Sequence, residues 1–188
     1  MRVGIIGCGI TGAYLGWKLA QTGNNVTIFE KKQKIGKEVC SGLISERLWD
    51  FIPKNEALIE NKINCTRLHL PKKTITLKFK QPMLVLRHHK LDQFVADLAL
   101  KAGAKIIHQE INSIPEGFDR IIGADGALST IRKFLGLKNP DFRQGIQFFV
   151  KEKNPDDFVD TWPSNKGFIW KIPRCEETEY GILCDLKS

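Results

Sequence analysis

A short apolar run, Val3–Ile6, ends at Gly7, and Gly7-x-Gly9-x-x-Gly12 follows at once. Few sequence features restrict a fold more. Such a run reads as a parallel strand buried on both faces. Gly7 permits a tight turn out of the strand. Gly9 lets the backbone approach a pyrophosphate, and Gly12 lets a helix lie close on the sheet. The spacing predicts that helix over 10–22, with Leu15 and Leu19 one turn apart and Gly12 and Gly16 as a small-residue strip elsewhere on its surface. Gly23-Asn24-Asn25 ends it. Val26–Phe29 is then a second strand, finishing at Glu30. In this setting the free N–H groups at the helix start, at Ile10 and Thr11, face phosphate groups. Glu30 accepts hydrogen bonds from ribose hydroxyls, and a phosphate on that ribose would repel it, which argues against NADP. Cys8, inside the loop, reads as a small buried residue.

Composition excludes other classes. The net charge of +8 comes from lysines scattered beside turns and strand ends, the pattern of a solvated basic surface. No aromatic and glycine pattern for nucleic acid accompanies it, so no nucleic-acid partner is expected. Five cysteines, an odd number with no C-x-x-C pair, argue against a disulfide framework and a zinc knuckle and fit a reducing cytoplasm. The N-terminus lacks the form of a signal peptide, and no apolar stretch is long enough to span a bilayer. A cytoplasmic protein is expected, with peripheral contact to an anionic inner leaflet open to its basic surface.

Further along, Ile75, Leu77 and Phe79 alternate with polar residues as in a half-exposed strand. Residues 62–70 read as its partner, Pro71-Lys72-Lys73 as the turn, and 83–86 as a third short strand. This antiparallel piece, about 62–86, is expected to be an insertion within an α/β domain. A helix carries Leu91, Phe94, Val95, Leu98 and Ala102 and stops at Gly103. Short strands follow at 104–107 and 121–124. Ser129 caps a short helix with Ile131 and Leu135, and Gly136 ends it. After Pro140 the pattern is β-like at 146–150, 168–172 and 180–183. The expected organisation is an α/β, Rossmann-like domain over 1–140, followed at 141–188 by the start of a β-rich region.

Two glycine loops in one chain narrow the reading further. The stretch from Gly4 to Glu30 resembles the FAD fingerprint of the glutathione-reductase-like superfamily, with Gly16, Leu19, Gly23, Val26 and Glu30 continuing the pattern. Gly16 stands where alanine is more usual. "DRIIGADGALSTIRK" resembles the second motif of the flavin-dependent hydroxylase and geranylgeranyl reductase group, with Asp125, Gly126, Ser129 and Arg132 in the matching places. A long dinucleotide explains such a second loop. One loop holds the pyrophosphate, and Gly126 and Asp125 close over the sugar side.

"EVCSGLIS", residues 38–45, resembles the Cys-x-Gly segment of geranylgeranyl reductases. "LRHHKLD" resembles their Arg-x-x-x-x-Asp helix start, with Arg87 and Asp92 matching. "GFIWKIP" resembles their Gly-aromatic-x-Trp-x-x-Pro strand at Gly167, Phe168, Trp170 and Pro173. The resemblance implies FAD as cofactor, with 1–140 as the FAD-binding domain and 141–188 as a partial β-rich substrate domain. The implied cofactor-binding set is Gly7, Gly9, Ile10, Thr11, Gly12, Glu30, Lys31, Cys40, Ser41, Gly42, Arg87, Ile111, Asp125 and Gly126, with Cys40 and Trp170 lining the substrate pocket. It implies hydride transfer to a carbon–carbon double bond of a prenyl lipid or other small apolar substrate. Electrons would come from an external donor, NAD(P)H or ferredoxin-like.

A related flavin monooxygenase and a non-catalytic dinucleotide-binding module are the alternatives. No catalytic side chain stands out, and no metal site. No base or cation is visibly placed to make Cys40 a thiolate, and His88-His89, read as strand neighbours pointing to opposite faces, is structural. The family's third motif, a Gly-Asp-Ala helix start, has no counterpart here. The expectation is therefore a fragment, a chain completed by a second one, or one that has lost full activity.

Overall fold

The computed structural model describes residues 1–36 and 40–185. Glu38 and Val39 of the segment 38–45, and residues 186–188 of the expected second domain, lie outside the described residues. The chain forms two units, Met1–Lys37 with His89–Asp141, and Glu38–His88 with Phe142–Ser188.

The first unit is built on a four-stranded parallel sheet. β1 (Arg2–Ile6) pairs with β2 (Asn25–Glu30) on one side and β7 (Arg120–Gly123) on the other, and β6 (Lys105–His108) adds to β2. Val3, Ile5, Val26 and Ile28 are buried, as a strand covered on both faces requires. Helix α1 (Ile10–Gln21) crosses between β1 and β2, and α2 (His88–Lys101) precedes β6. The buried face of α1 is Gly12, Ala13, Gly16, Trp17 and Ala20, not the Leu15–Leu19 side. The small-residue strip therefore faces the core, because close helix–sheet approach buries more area than leucine contacts at longer range. A Cβ at Gly16 would lie 2.5 Å from Ile28 Cδ1. The alanine usual at this place in the resembling families would force Ile28 to move. Helix α3 (Thr130–Phe134) packs through Ile131 on Ile6 and Phe29.

The second unit is a seven-stranded mixed sheet in the order β3-β5-β4-β9-β10-β11-β8. Its strands are β3 (Leu43–Ser45), β4 (Ile59–Leu70), β5 (Lys73–Leu86), β8 (Arg143–Val150), β9 (Phe158–Ser164), β10 (Gly167–Pro173) and β11 (Thr178–Asp185). Ile63, Val85, Val159 and Ile172 form its core, with Leu43, Phe79, Met83 and Trp170 packed around them.

Three expectations change here. The antiparallel strands at 62–86 do interrupt the first unit in sequence, but they form no small sheet of their own, since β4 pairs in parallel with β9 and joins the C-terminal strands in one sheet. Residues 83–86 are the end of the long β5, not a separate strand. The β4–β5 register jumps from Cys65↔Lys78 to Ile63↔Met83. Pro82, which lacks an N–H for the ladder, sits in the bulged stretch. His88 and His89 open helix α2 and are not on a strand. No helix among the described residues is long and apolar enough to cross a membrane.

Candidate functional site

The first glycine loop builds a cleft in the first unit. Gly7 has φ +101°, and a Cβ there would lie 2.5 Å from the Ala124 carbonyl oxygen. Its N–H donates to the Phe29 carbonyl at 2.7 Å, and Ala124 N–H donates to the Ile6 carbonyl at 2.8 Å. The two loop regions are thus locked together beneath the cleft. A Cβ at Gly12 would lie 1.9 Å from the Gly7 carbonyl oxygen. At Gly9, by contrast, nothing stands within 4 Å of an added Cβ, so no packing among the described residues demands a glycine. Gly9 caps α1 without a side-chain hydrogen bond. The N–H groups of Ile10, Thr11 and Gly12 at the first turn are those an anion takes.

Glu30 is fixed, not free. Oε2 accepts the Cys8 N–H at 2.8 Å and Oε1 accepts the Lys32 N–H at 3.0 Å. Each oxygen keeps a lone pair for a sugar hydroxyl. The cleft has a volume of about 120 Å³, and Lys31, Ile111, Asp125, Gln109, Leu128 and Thr130 contribute to its lining with the glycine loop. That is below the roughly 300 Å³ at the low end for small-molecule pockets. It suits one end of a dinucleotide. Asp92, fully buried in α2, also lines it. Cys8 is buried, and burial, with the Glu30 and Asp92 charges, pushes its thiol up to about 12, so it stays protonated.

Asp125 has a job the sequence did not reveal. Its Oδ1 accepts the Ser129 hydroxyl at 2.5 Å, and Oδ2 accepts N–H groups of Thr130 at 2.6 Å and Ile131 at 3.2 Å. It therefore caps α3 together with Ser129, whose Oγ accepts the Arg132 N–H at 2.9 Å. Burial alone would raise its carboxyl, but the bonds from Ser129 and the backbone N–H groups outweigh it and hold it below the ordinary aspartate range. Gly126 follows with φ +83°, a left-handed turn that glycine adopts without strain.

The remaining site residues lie in the second unit. Cys40 and Ser41 line a cavity of about 360 Å³ with Leu43, Val159, Phe168, Trp170, Ile172 and Leu183. Gly42, with φ +63°, lies against the Leu86 carbonyl. Trp170 packs against the core and also lines the cavity, and its Nε1–H donates to Glu179 at 2.8 Å. Gly181 on the neighbouring strand makes room for the indole, since a Cβ there would lie 2.0 Å from Trp170 Cζ2. A glycine inside a strand was the signal for this close approach.

Cys40 has a partner after all. His88 hydrogen-bonds the thiol and lowers its pKa, partial burial opposes this, the Gly42 backbone and the His88 charge add to it, and the Glu179 charge opposes it. The pairing was hidden because the two lie 48 positions apart in the chain, and because His88 opens a helix. Arg87 is engaged within its own unit. Its Nε donates to Glu60 Oε1 at 2.6 Å and its Nη2 bonds Glu177. No group of His, Cys, Asp and Glu among the described residues could hold a metal ion.

Comparison with known proteins agrees with this geometry. Residues 5–42 match the family of NAD(P)-binding Rossmann-like domains. None of the curated proteins matches the chain. Among solved structures, a geranylgeranyl bacteriochlorophyll reductase-like protein from Thermoplasma acidophilum superposes with a TM-score of 0.83 at 24% identity, covering 99% of this chain and 57% of that one. A tryptophan 6-halogenase from Streptomyces toxytricini superposes with a TM-score of 0.78 at 13% identity, covering 99% and 56%. The halogenase PltM in complex with phloroglucinol and FAD superposes with a TM-score of 0.70 at 18% identity, covering 98% and 51%. The chain spans a little over half the length of these structures. At its start it has a Rossmann-like strand–helix–strand unit and, over nearly its whole length, it shares the fold of the reductase-like protein and of the flavin-dependent halogenases.

Proposed function

We propose that this chain is the FAD-binding part of an oxidoreductase that reduces carbon–carbon double bonds of a prenyl chain. The observation that carries the cofactor is the first glycine loop, open at Gly9, tight at Gly7 and Gly12, and braced by Glu30. The amides of Ile10, Thr11 and Gly12 would take the pyrophosphate and Glu30 the adenosine ribose. Asp125 holds α3 in place, so that the Gly126 backbone, not its own carboxylate alone, meets the cofactor's sugar side. When bound, FAD supplies two-electron reduction, and the protein binds, orients and shields.

The apolar cavity of the second unit suits the substrate class. Leu43, Val159, Phe168, Ile172 and Leu183 offer a wall without charge, and Trp170 adds a flat apolar face. Such a wall binds an isoprenoid tail by area removed from water, at about 25 cal/mol per Å². The likeness to a reductase-like protein supports this reading, and the likeness to a halogenase holding FAD supports the cofactor. Electrons would come from a nicotinamide or a ferredoxin-like donor.

The test is the near-ultraviolet and visible absorbance of purified protein, before and after incubation with FAD and desalting. A retained flavin band, bleached by dithionite and restored on adding a prenyl substrate, is the expected result. Folded protein without retained flavin would overturn the reading of this chain as a flavin site. Reoxidation by oxygen with hydroxylated product would overturn the reductase and favour a monooxygenase.

A further inference from the structure

We infer that the buried Arg174–Glu179 pair positions the two walls of the apolar cavity, Trp170 on one side and the Cys40–Ser41 segment on the other. The inference rests on the cavity being the substrate site proposed above. Glu179 is 0% exposed and Arg174 4%. Glu179 Oε1 accepts the Trp170 Nε1–H at 2.8 Å, and Oε2 accepts Arg174 Nε at 3.0 Å and Nη2 at 2.6 Å. The same Nη2 donates to the Ser41 carbonyl at 2.5 Å. An unbroken chain of hydrogen bonds, Trp170 to Glu179 to Arg174 to Ser41, therefore spans from wall to wall. Arg174 Nη1 donates to Glu60 Oε2 at 2.5 Å, anchoring the pair on β4.

As adhesive alone this arrangement is a poor choice. Well-packed apolar residues in place of a buried pair are often equally stable or better. What apolar residues cannot do is fix direction. A planar guanidinium held by two carboxylates and a carbonyl has one orientation, and it transmits that orientation to both walls. Trp170 could otherwise rotate about its side-chain torsions into the cavity. Cys40–Ser41 belongs to no strand and receives this anchor from Arg174. The cavity's width, and with it the chain it admits, is set by this link.

A second consequence separates positioning from mere packing. Cys40 is faced by the His88 side chain, by the Gly42 backbone and by the charge of Glu179, and Glu179 works against the thiolate. Removing that charge without changing shape should raise the fraction of Cys40 present as thiolate near neutral pH. A residue that only filled space would leave the thiol unchanged.

The test uses the whole chain and alkylation of Cys40 by iodoacetamide, followed against pH by peptide mass spectrometry. Glu179→Gln is expected to lower the alkylation midpoint and to speed reaction several-fold near neutral pH. An unchanged midpoint would overturn the electrostatic link. Should Glu179→Gln not fold, the double variant Arg174→Met/Glu179→Leu, which removes both charges of the pair and replaces them with apolar side chains, carries the test through the protection experiment. A twenty-carbon prenyl alcohol is expected to protect Cys40 in the wild type and to protect it several-fold less in the double variant. Undiminished protection in the folded double variant would overturn the positioning role. Absence of protection in the wild type would overturn the cavity as substrate site, while the Glu179→Gln midpoint still judges the link to Cys40.

Discussion

A side chain added at Gly12 would put its Cβ 1.9 Å from the Gly7 carbonyl oxygen, whereas one at Gly9 would meet nothing within 4 Å. The two glycines of one motif therefore answer to different masters, the first to the fold and the second, in the function proposed above, to a ligand. Gly12→Ala should destabilise the protein by about 1–3 kcal/mol through overpacking, offset only in part by alanine's better helix propensity of ~1 kcal/mol. Gly9→Ala should cost under about 1 kcal/mol of stability, the difference between glycine and alanine at a helix cap, yet weaken FAD binding strongly. Denaturant unfolding and flavin titration on the two variants check this. Equal losses of stability would contradict it.

Asp125 makes a second residue-scale case. Its folded carboxyl lies below the ordinary aspartate range, so the unfolded state binds more protons. The stability it supplies is present in full above the unfolded value of about 3.9 and fades as pH falls through the folded value. Asp125→Ala should cost about 1 kcal/mol at neutral pH, as a lost helix cap does, and should flatten the acid limb of the stability curve. Unfolding midpoints between neutral and acid pH measure both. The sequence pointed to Asp125, which lines the cleft. It did not show that both oxygens already serve α3, because a cap and a ligand contact need the same residue at the same place.

At the scale of elements, local pattern and long-range pairing part company. The β1–α1–β2 stretch was legible because strand, turn glycines, helix period and terminal acid lie within one short window. β9 was not legible. Its sequence, FVDTWPS, carries a proline and little alternation. Pro163 is tolerated because β9 pairs with β4 only as far as Thr161, leaving the proline to pair on the β10 side alone. What holds β9 to β4 is a polar cluster. Asp160 accepts from Arg67 Nε at 2.8 Å and Nη2 at 3.1 Å, and from His69 Nε2 at 2.6 Å, and Trp162 stacks on His69 at 4.7 Å. Buried Asp160 is depressed because these bonds outweigh its desolvation. Asp160→Asn should loosen this parallel pair and cost about 1–3 kcal/mol, the range for an unsatisfied buried donor. Hydrogen exchange is expected to accelerate in β4 and β9 before β10 and β11. Uniform acceleration across the sheet would argue against a local role for the cluster.

At the scale of the whole molecule, the partition of the chain was the hardest thing to read. Strand β4, which carries β5 and β3 with it, pairs with β9 more than ninety residues away, through Arg67↔Asp160 and its neighbours. No local signal announces such a pairing, because each strand satisfies its own alternation wherever it is placed. The consequence is testable through the ligand. The glycine loop, Glu30 and Asp125 all belong to the unit formed by Met1–Lys37 and His89–Asp141. A ligand that binds the folded form alone stabilises it by mass action, about 2.7 kcal/mol at a hundredfold excess over Kd. FAD at such an excess should therefore raise the thermal midpoint, with NADP giving less because Glu30 opposes a ribose phosphate. Protection from hydrogen exchange should begin at residues 7–13 and 30–32, where Cys8 and Lys32 N–H groups meet Glu30. Protection by FAD that appeared in the seven-stranded sheet and left these amides unchanged would place the dinucleotide elsewhere and remove Glu30 from the cofactor site.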